Sequence, residues 1–222
     1  MIKLVLGTAS AMALLLSAQS AAAHDEKVKV EVTERYDFSN FDHITVEGVY
    51  HLDVEVGKDF SIETSGSKKD MGKIEVSVED GHLILGVKDT KSGKIRGNNN
   101  HGVNAVVTLP KLDGVEIAGV VTGAISDIDA ERFTVEFAGV GELSLRGRCV
   151  DLELEMAGVG ELDARDLICE DVDVDLAGMG EATVYASERV NAEAAGMGQI
   201  NVYGKPEVVQ KSSAFMSSVK IK

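Results

Sequence analysis

Apolar and polar residues alternate through most of this chain with a period of two, and no segment shows the 3.6-residue period of an amphipathic helix. Lys27–Thr33 reads KVKVEVT. Ile44–Val56 reads ITVEGVYHLDVEV, two alternating runs joined near Gly48. Phe60–Thr64, Ile74–Val78 and His82–Val87 follow, the last two separated by the turn signal Glu79-Asp80-Gly81. Residues 88–104, KDTKSGKIRGNNNHGVN, break the pattern and predict a polar, basic, exposed loop or insertion between rungs.

From Val106 onward the alternation becomes a repeat. EIAGVV, EFAGVGEL, EMAGVGEL, DLAGMGEA and EAAGMGQI center on Gly119, Gly139, Gly158, Gly178 and Gly196, at spacings of 20, 19, 20 and 18 residues. A unit that short holds about two strands and their corners and cannot bury a core alone. Its apolar face is covered only by the next copy, so the units must stack. In the units of Gly139, Gly158, Gly178 and Gly196 the positions two, four and six before the glycine are apolar, as in Phe133, Val135 and Phe137. So are the positions four and six after it, as in Leu143 and Leu145. These columns face inward, and the predicted fold is all-β: a parallel β-helix, or solenoid, with rungs of about 19 residues in the C-terminal half.

The glycines of A-G-x-G mark tight corners, where positive φ or close backbone approach excludes a Cβ. The predicted corner residues are Gly119, Gly139, Gly141, Gly158, Gly160, Gly178, Gly180, Gly196 and Gly198. A phosphate-cradling loop would need a helix after it, and no helical pattern follows. We expect N-terminal strands over residues 38–110, regular repeats over 111–205 and a capping rung over 206–222. In that last rung Ala214 stands 18 residues after Gly196, and Lys211, Lys220 and Lys222 add charge that discourages end-to-end pairing.

The first residues have the pattern of an export signal: Lys3, an apolar run from Leu4 to Leu16, then Ala21-Ala22-Ala23. Residues 1–23 are therefore expected to be a signal peptide, the mature chain to begin at His24, and 24–222 to form one domain. This places the protein in the periplasm, outside the cell or at its surface. No later apolar run approaches membrane-spanning length. The net charge of −15 is uneven, because Lys111–Lys205 holds 20 acidic and 7 basic residues. An acidic solenoid argues against nucleic acid and anionic lipid as partners. It is compatible with cations or basic partners.

Aligned on the glycines, the acids form two series. Three places before stand Glu116, Glu136, Glu155, Asp175 and Glu193; three places after stand Glu142, Glu161 and Glu181, then Gln199. Stacked rungs would space them about 4.8 Å apart, so like charges repel along each ladder. Water and counterions, a divalent cation such as Ca2+, or a basic partner could each offset that cost. Calcium wants six to eight oxygens, more than a flat ladder readily offers. No other cofactor is indicated. Cys149 and Cys169 occupy one column, and adjacent rungs would bring their Cα atoms within disulfide range in an oxidising compartment. Seven places after the glycine stand Arg146, Arg165, Tyr185 and Tyr203, a half-exposed face or a contact strip. The five histidines show neither HxH nor HExxH spacing, and no G-x-S-x-G elbow appears, so no catalytic residue is assigned.

The run FDHITVEGVYHLDVEVG, the later VTLPKL and the recurring A-G-x-G-E resemble the bacterial putative auto-transporter adhesin head GIN domain, DUF2807, over roughly residues 38–220. That resemblance implies a right-handed β-helix with an envelope or surface role. It supplies no catalytic residues. The reading is a non-enzymatic, adhesin-like binding or structural module whose partner is an envelope protein or a glycan. The alternative is a polysaccharide-acting β-helix enzyme, which a loop-walled cleft holding acids with Arg or Lys would favour.

Overall fold

The computed structural model describes residues 31–88 and 102–222. The expected signal peptide, its cleavage point at His24 and most of the 88–104 segment lie outside the described residues. The strands are β1 (Glu31–Tyr36), β2 (His43–Val46), β3 (Val49–Val56), β4 (Ser61–Ser67), β5 (Ile74–Glu79), β6 (His82–Val87), β7 (Val103–Leu109), β8 (Gly114–Ile117), β9 (Val120–Phe137), β10 (Val140–Met156), β11 (Val159–Leu176), β12 (Met179–Ala194), β13 (Met197–Tyr203), β14 (Val208–Ser213) and β15 (Ser217–Ile221). One short helix, α1 (Lys68–Met71), interrupts them.

Residues 114–221 form a parallel β-solenoid of about five turns with rungs of about 20 residues. β9, β10, β11, β12 and β13 lie side by side in that order, all parallel. Each predicted inward column is buried, from Phe133, Leu152, Val172 and Val190 to Leu143, Leu162, Ala182 and Ile200. The inward columns differ in how they are filled: one runs Ile117, Phe137, Met156, Leu176 and Ala194, and another Leu143, Leu162, Ala182 and Ile200. A second bend follows residues 144–147, where pairing registers slip and the strands bulge.

Two further rungs precede the repeat. β2 and β3 pair with β8 and β9, and on their other side with β6 and β7. The 88–104 segment was expected between rungs. Its flanking strands β6 and β7 instead belong to one rung, so the segment interrupts that rung. β1, β4 and β5 add antiparallel pairs at this end. The helix α1 had no signal in the alternation. It is capped at its N-terminus by Ser67, whose hydroxyl accepts the amide N–H of Asp70 at 3.1 Å.

The capping rung runs one residue out of the expected alignment. Ser213 pairs with Ala194 and Ser217 with Gly198, which places Phe215, not Ala214, in the glycine column. The sharp bend of the other rungs is replaced there by a turn at Phe215-Met216 that throws both side chains outward.

Candidate functional site

The A-G-x-G corner stacks backbone against backbone. A Cβ on Gly158 would lie 2.1 Å from the carbonyl oxygen of Gly139, so the first glycine column is required by close approach. Gly160 has φ +149, and a Cβ there would lie 1.8 Å from the Gly141 oxygen; both predicted reasons operate at Gly141, Gly160 and Gly180, and close approach alone at Gly198. The residue after the first glycine stands proud, and at Val140, Val159, Met179 and Met197 both of its chain neighbours are glycines. Val120, Val140, Val159, Met179 and Met197 are each between 42% and 50% exposed. They pair in register from rung to rung, with Val49 as their predecessor. The alanine before each first glycine is exposed as well. The outcome is a continuous apolar strip along the corner, ended by fully exposed Phe215 and by Met216. At that end the strip borders a shallow, open hollow of about 580 Å³ lined by Ala177, Gly178, Gly196, Phe215 and Met216 among others.

Sequence reasoning placed these residues at the corner without recognising the strip. The signal was available: odd offsets from the glycine point outward, and at +1 the outward residue is always Val or Met.

The two acid series flank this strip. Glu116, Glu136, Glu155, Asp175 and Glu193 pair directly from rung to rung, bounded by Thr45 and Ser212. Glu142, Glu161 and Glu181 pair likewise, bounded by Thr122 and Gln199. Desolvation raises the Asp175 carboxyl above the usual aspartate range, and the Asp173 carboxylate raises it further. Glu181 accepts a hydrogen bond from the Asn201 amide at 2.5 Å, and Gln199 accepts one from Lys220. The carboxylates are laid out in rows: among the described residues no group of three or more His, Cys, Asp or Glu side chains converges on a point that could hold a metal ion.

Beside the first acid row, the next outward columns read Thr134, Glu153, Asp173, Asn191 and Arg132, Asp151, Asp171, Arg189. All of these except Thr134 line a shallow hollow of about 420 Å³. The Arg189 guanidinium donates two hydrogen bonds to Asp171, and Arg132 lies 3.9 Å from Asp151. Acids and arginines do meet here, as the enzymatic alternative requires. The hollow is lined by strand residues of β9 to β12 and β14, so these carboxylates sit on an open sheet face; Asp151 and Asp171 are paired with Arg132 and Arg189, and Asp173 accepts a hydrogen bond from the Asn191 amide.

At the N-terminal end His43 and His82, 39 residues apart in sequence, stack with ring centroids 4.8 Å apart on paired strands. His43 Nδ1 lies 2.7 Å from Asp42, and Thr45 donates a hydrogen bond to Glu116 at 3.4 Å. Spacing could not show this contact, because it joins two rungs that lack the repeat. Cys149 and Cys169 are paired in register with Cα atoms 4.6 Å apart and are joined as a disulfide. The Arg146-Arg165-Tyr185-Tyr203 column is broken, because a bulge puts Arg146 opposite Asp166; Arg165 reaches instead over the ring of Tyr203 at 4.6 Å.

Residues 40–206 match the family described as putative auto-transporter adhesin, head GIN domain. Among solved structures, a putative adhesin from Bacteroides fragilis is similar with a TM-score of 0.69 at 24% identity, over 87% of this chain and 98% of that one. A putative lipid binding protein from Parabacteroides distasonis gives a TM-score of 0.49 at 20% identity, over 86% and 96%. A putative adhesin from the same species gives 0.47 at 14%, over 88% and 98%. No curated protein matches the chain. The first of these structures establishes likeness of fold.

Proposed function

The chain belongs to the family of the putative auto-transporter adhesin head GIN domain, and from that premise we propose that it is an exported, non-enzymatic binding module of the cell envelope. The observation that carries this reading is the exposed Val/Met strip. Contiguous apolar surface rimmed by polar residues costs solubility and marks interaction sites. This strip recurs on every rung of the repeat, although any polar residue would satisfy a corner that points at water. A rigid solenoid holds such a strip straight, which suits recognition of an extended partner.

The test combines location, binding and turnover. The protein is expected in the periplasmic or surface fraction with its N-terminus at His24. The purified protein should bind a component in a screen of envelope proteins and glycans, and a Met179→Asp, Met197→Asp variant that folds normally should lose that binding. Depolymerisation of any polysaccharide in the screen, abolished by Asp171→Asn, would replace this reading with the enzymatic one.

A further inference from the structure

We infer that the corner strip is a docking surface for a cationic amphipathic polypeptide segment, one apolar row flanked by Lys or Arg. This rests on the binding-module reading and names the chemistry of its partner. The inference follows from what lies on either side of the strip. The apolar row sits at offset +1, with acid rows at −3 and +3, and all but one of these eight carboxylates are exposed.

The same arrangement discriminates among occupants. A second copy docking through the strip would set acid rows against acid rows, so self-association there is opposed. Anionic lipid and nucleic acid are repelled for the same reason. A segment with basic flanks relieves the repulsion within both rows while covering the apolar strip. From Val120 to the last rung the strip spans five rung intervals, about 24 Å. That length matches about 16 residues of α-helix. One helical turn rises about 5.4 Å against about 4.8 Å per rung, so roughly one apolar anchor meets each Val or Met. The C-terminal part of the strip is Met179, Met197 and Met216 with Phe215 at its end. Unbranched methionines adapt to partners of differing shape.

The experiment uses the purified protein and three labelled peptides of equal length. The first places Leu at i, i+3, i+4 and i+7 with Lys on both flanks; the second replaces Lys by Glu; the third keeps Lys and replaces Leu by Ser. Fluorescence anisotropy is expected to show saturable binding of the first peptide alone, weakening about tenfold or more between 0.05 and 0.5 M NaCl. Met179→Ser with Met197→Ser should weaken it about tenfold. Glu136→Gln, Glu155→Gln, Glu142→Gln and Glu161→Gln together should weaken it similarly and flatten the salt dependence. Equal binding of the third peptide would reduce the interaction to net charge and overturn the inference, and equal binding of the second would reduce it to apolar contact with the same consequence. So would direct cosedimentation of the protein with phosphatidylglycerol vesicles, lost in the Met variants, or a dimer in sedimentation that the Met variants dissociate. If no peptide binds while an envelope protein or glycan does, this inference falls and the binding-module reading stands. If nothing binds, both fall.

Discussion

Glu155 lies in the middle of the longer acid row, paired with Glu136 on one rung and Asp175 on the next. Replacing it by Gln keeps its shape and removes its charge. Two unit charges about 4.8 Å apart repel by ~0.9 kcal/mol in water. A Debye length of about 8 Å at physiological salt trims that to ~0.5 kcal/mol per neighbour. With two neighbours, Glu155→Gln should stabilise the fold by ~1 kcal/mol. Glu193 has one acidic neighbour, Asp175, with Ser212 on its other side, so Glu193→Gln should gain about half as much. The assay is urea unfolding, since urea adds no ions. At a slope near 2 kcal/mol/M the Glu155→Gln midpoint should rise by ~0.5 M with unchanged slope. In 1 M NaCl, where the Debye length is about 3 Å, most of the gain should vanish. Unchanged or lowered stability, or a gain that persists in high salt, would refute the idea that the row stores repulsion. Asp175 carries a separate pH signature, set by desolvation and then by Asp173 rather than by its neighbours in the row. The Asp175 carboxyl is raised in the folded state, so its charge costs stability above that raised value. The cost is relieved as pH falls through it toward the ordinary aspartate value. Acidifying through that window should stabilise the protein relative to Asp175→Asn.

Gly160→Ala puts a Cβ 1.8 Å from the Gly141 oxygen at φ +149, so rungs must part, and a loss above about 4 kcal/mol is expected in thermal melts. Gly57→Ala, at φ +85 with nothing within 4 Å, is the control and should cost only about 1–2 kcal/mol; equal effects would show that rung contact does not decide the glycine columns. Reducing the Cys149–Cys169 bond, or replacing both residues by Ala, should lower unfolding free energy by about 3 kcal/mol, the value for a loop of this length. Identical urea curves with and without reductant would show that the bond contributes nothing to stability.

The sequence alone determined the repeat half of the molecule. A period of two fixed which residues of each rung face inward, and a period near 20 fixed which residues stack. Glu136, Glu155 and Asp175 could therefore be placed in one row, and Cys149 opposite Cys169, before any coordinates. The capping rung was legible in kind but misplaced by one residue, because Phe215 has no glycine to align with. Tertiary structure decided everything the period does not reach. The pairing of β2 with β6 and β8, and with it the contact of His43 with His82, joins segments that share no repeat. It is set by how the non-periodic strands close the solenoid end. It also decided the character of the corner. Parity says that Val140, Val159 and Met179 point outward, but only the stacked glycine backbones on either side show them standing half-exposed between two rows of like charge. An apolar residue at such a position contributes little to its own core, and the surface it creates becomes continuous only when the rungs are stacked.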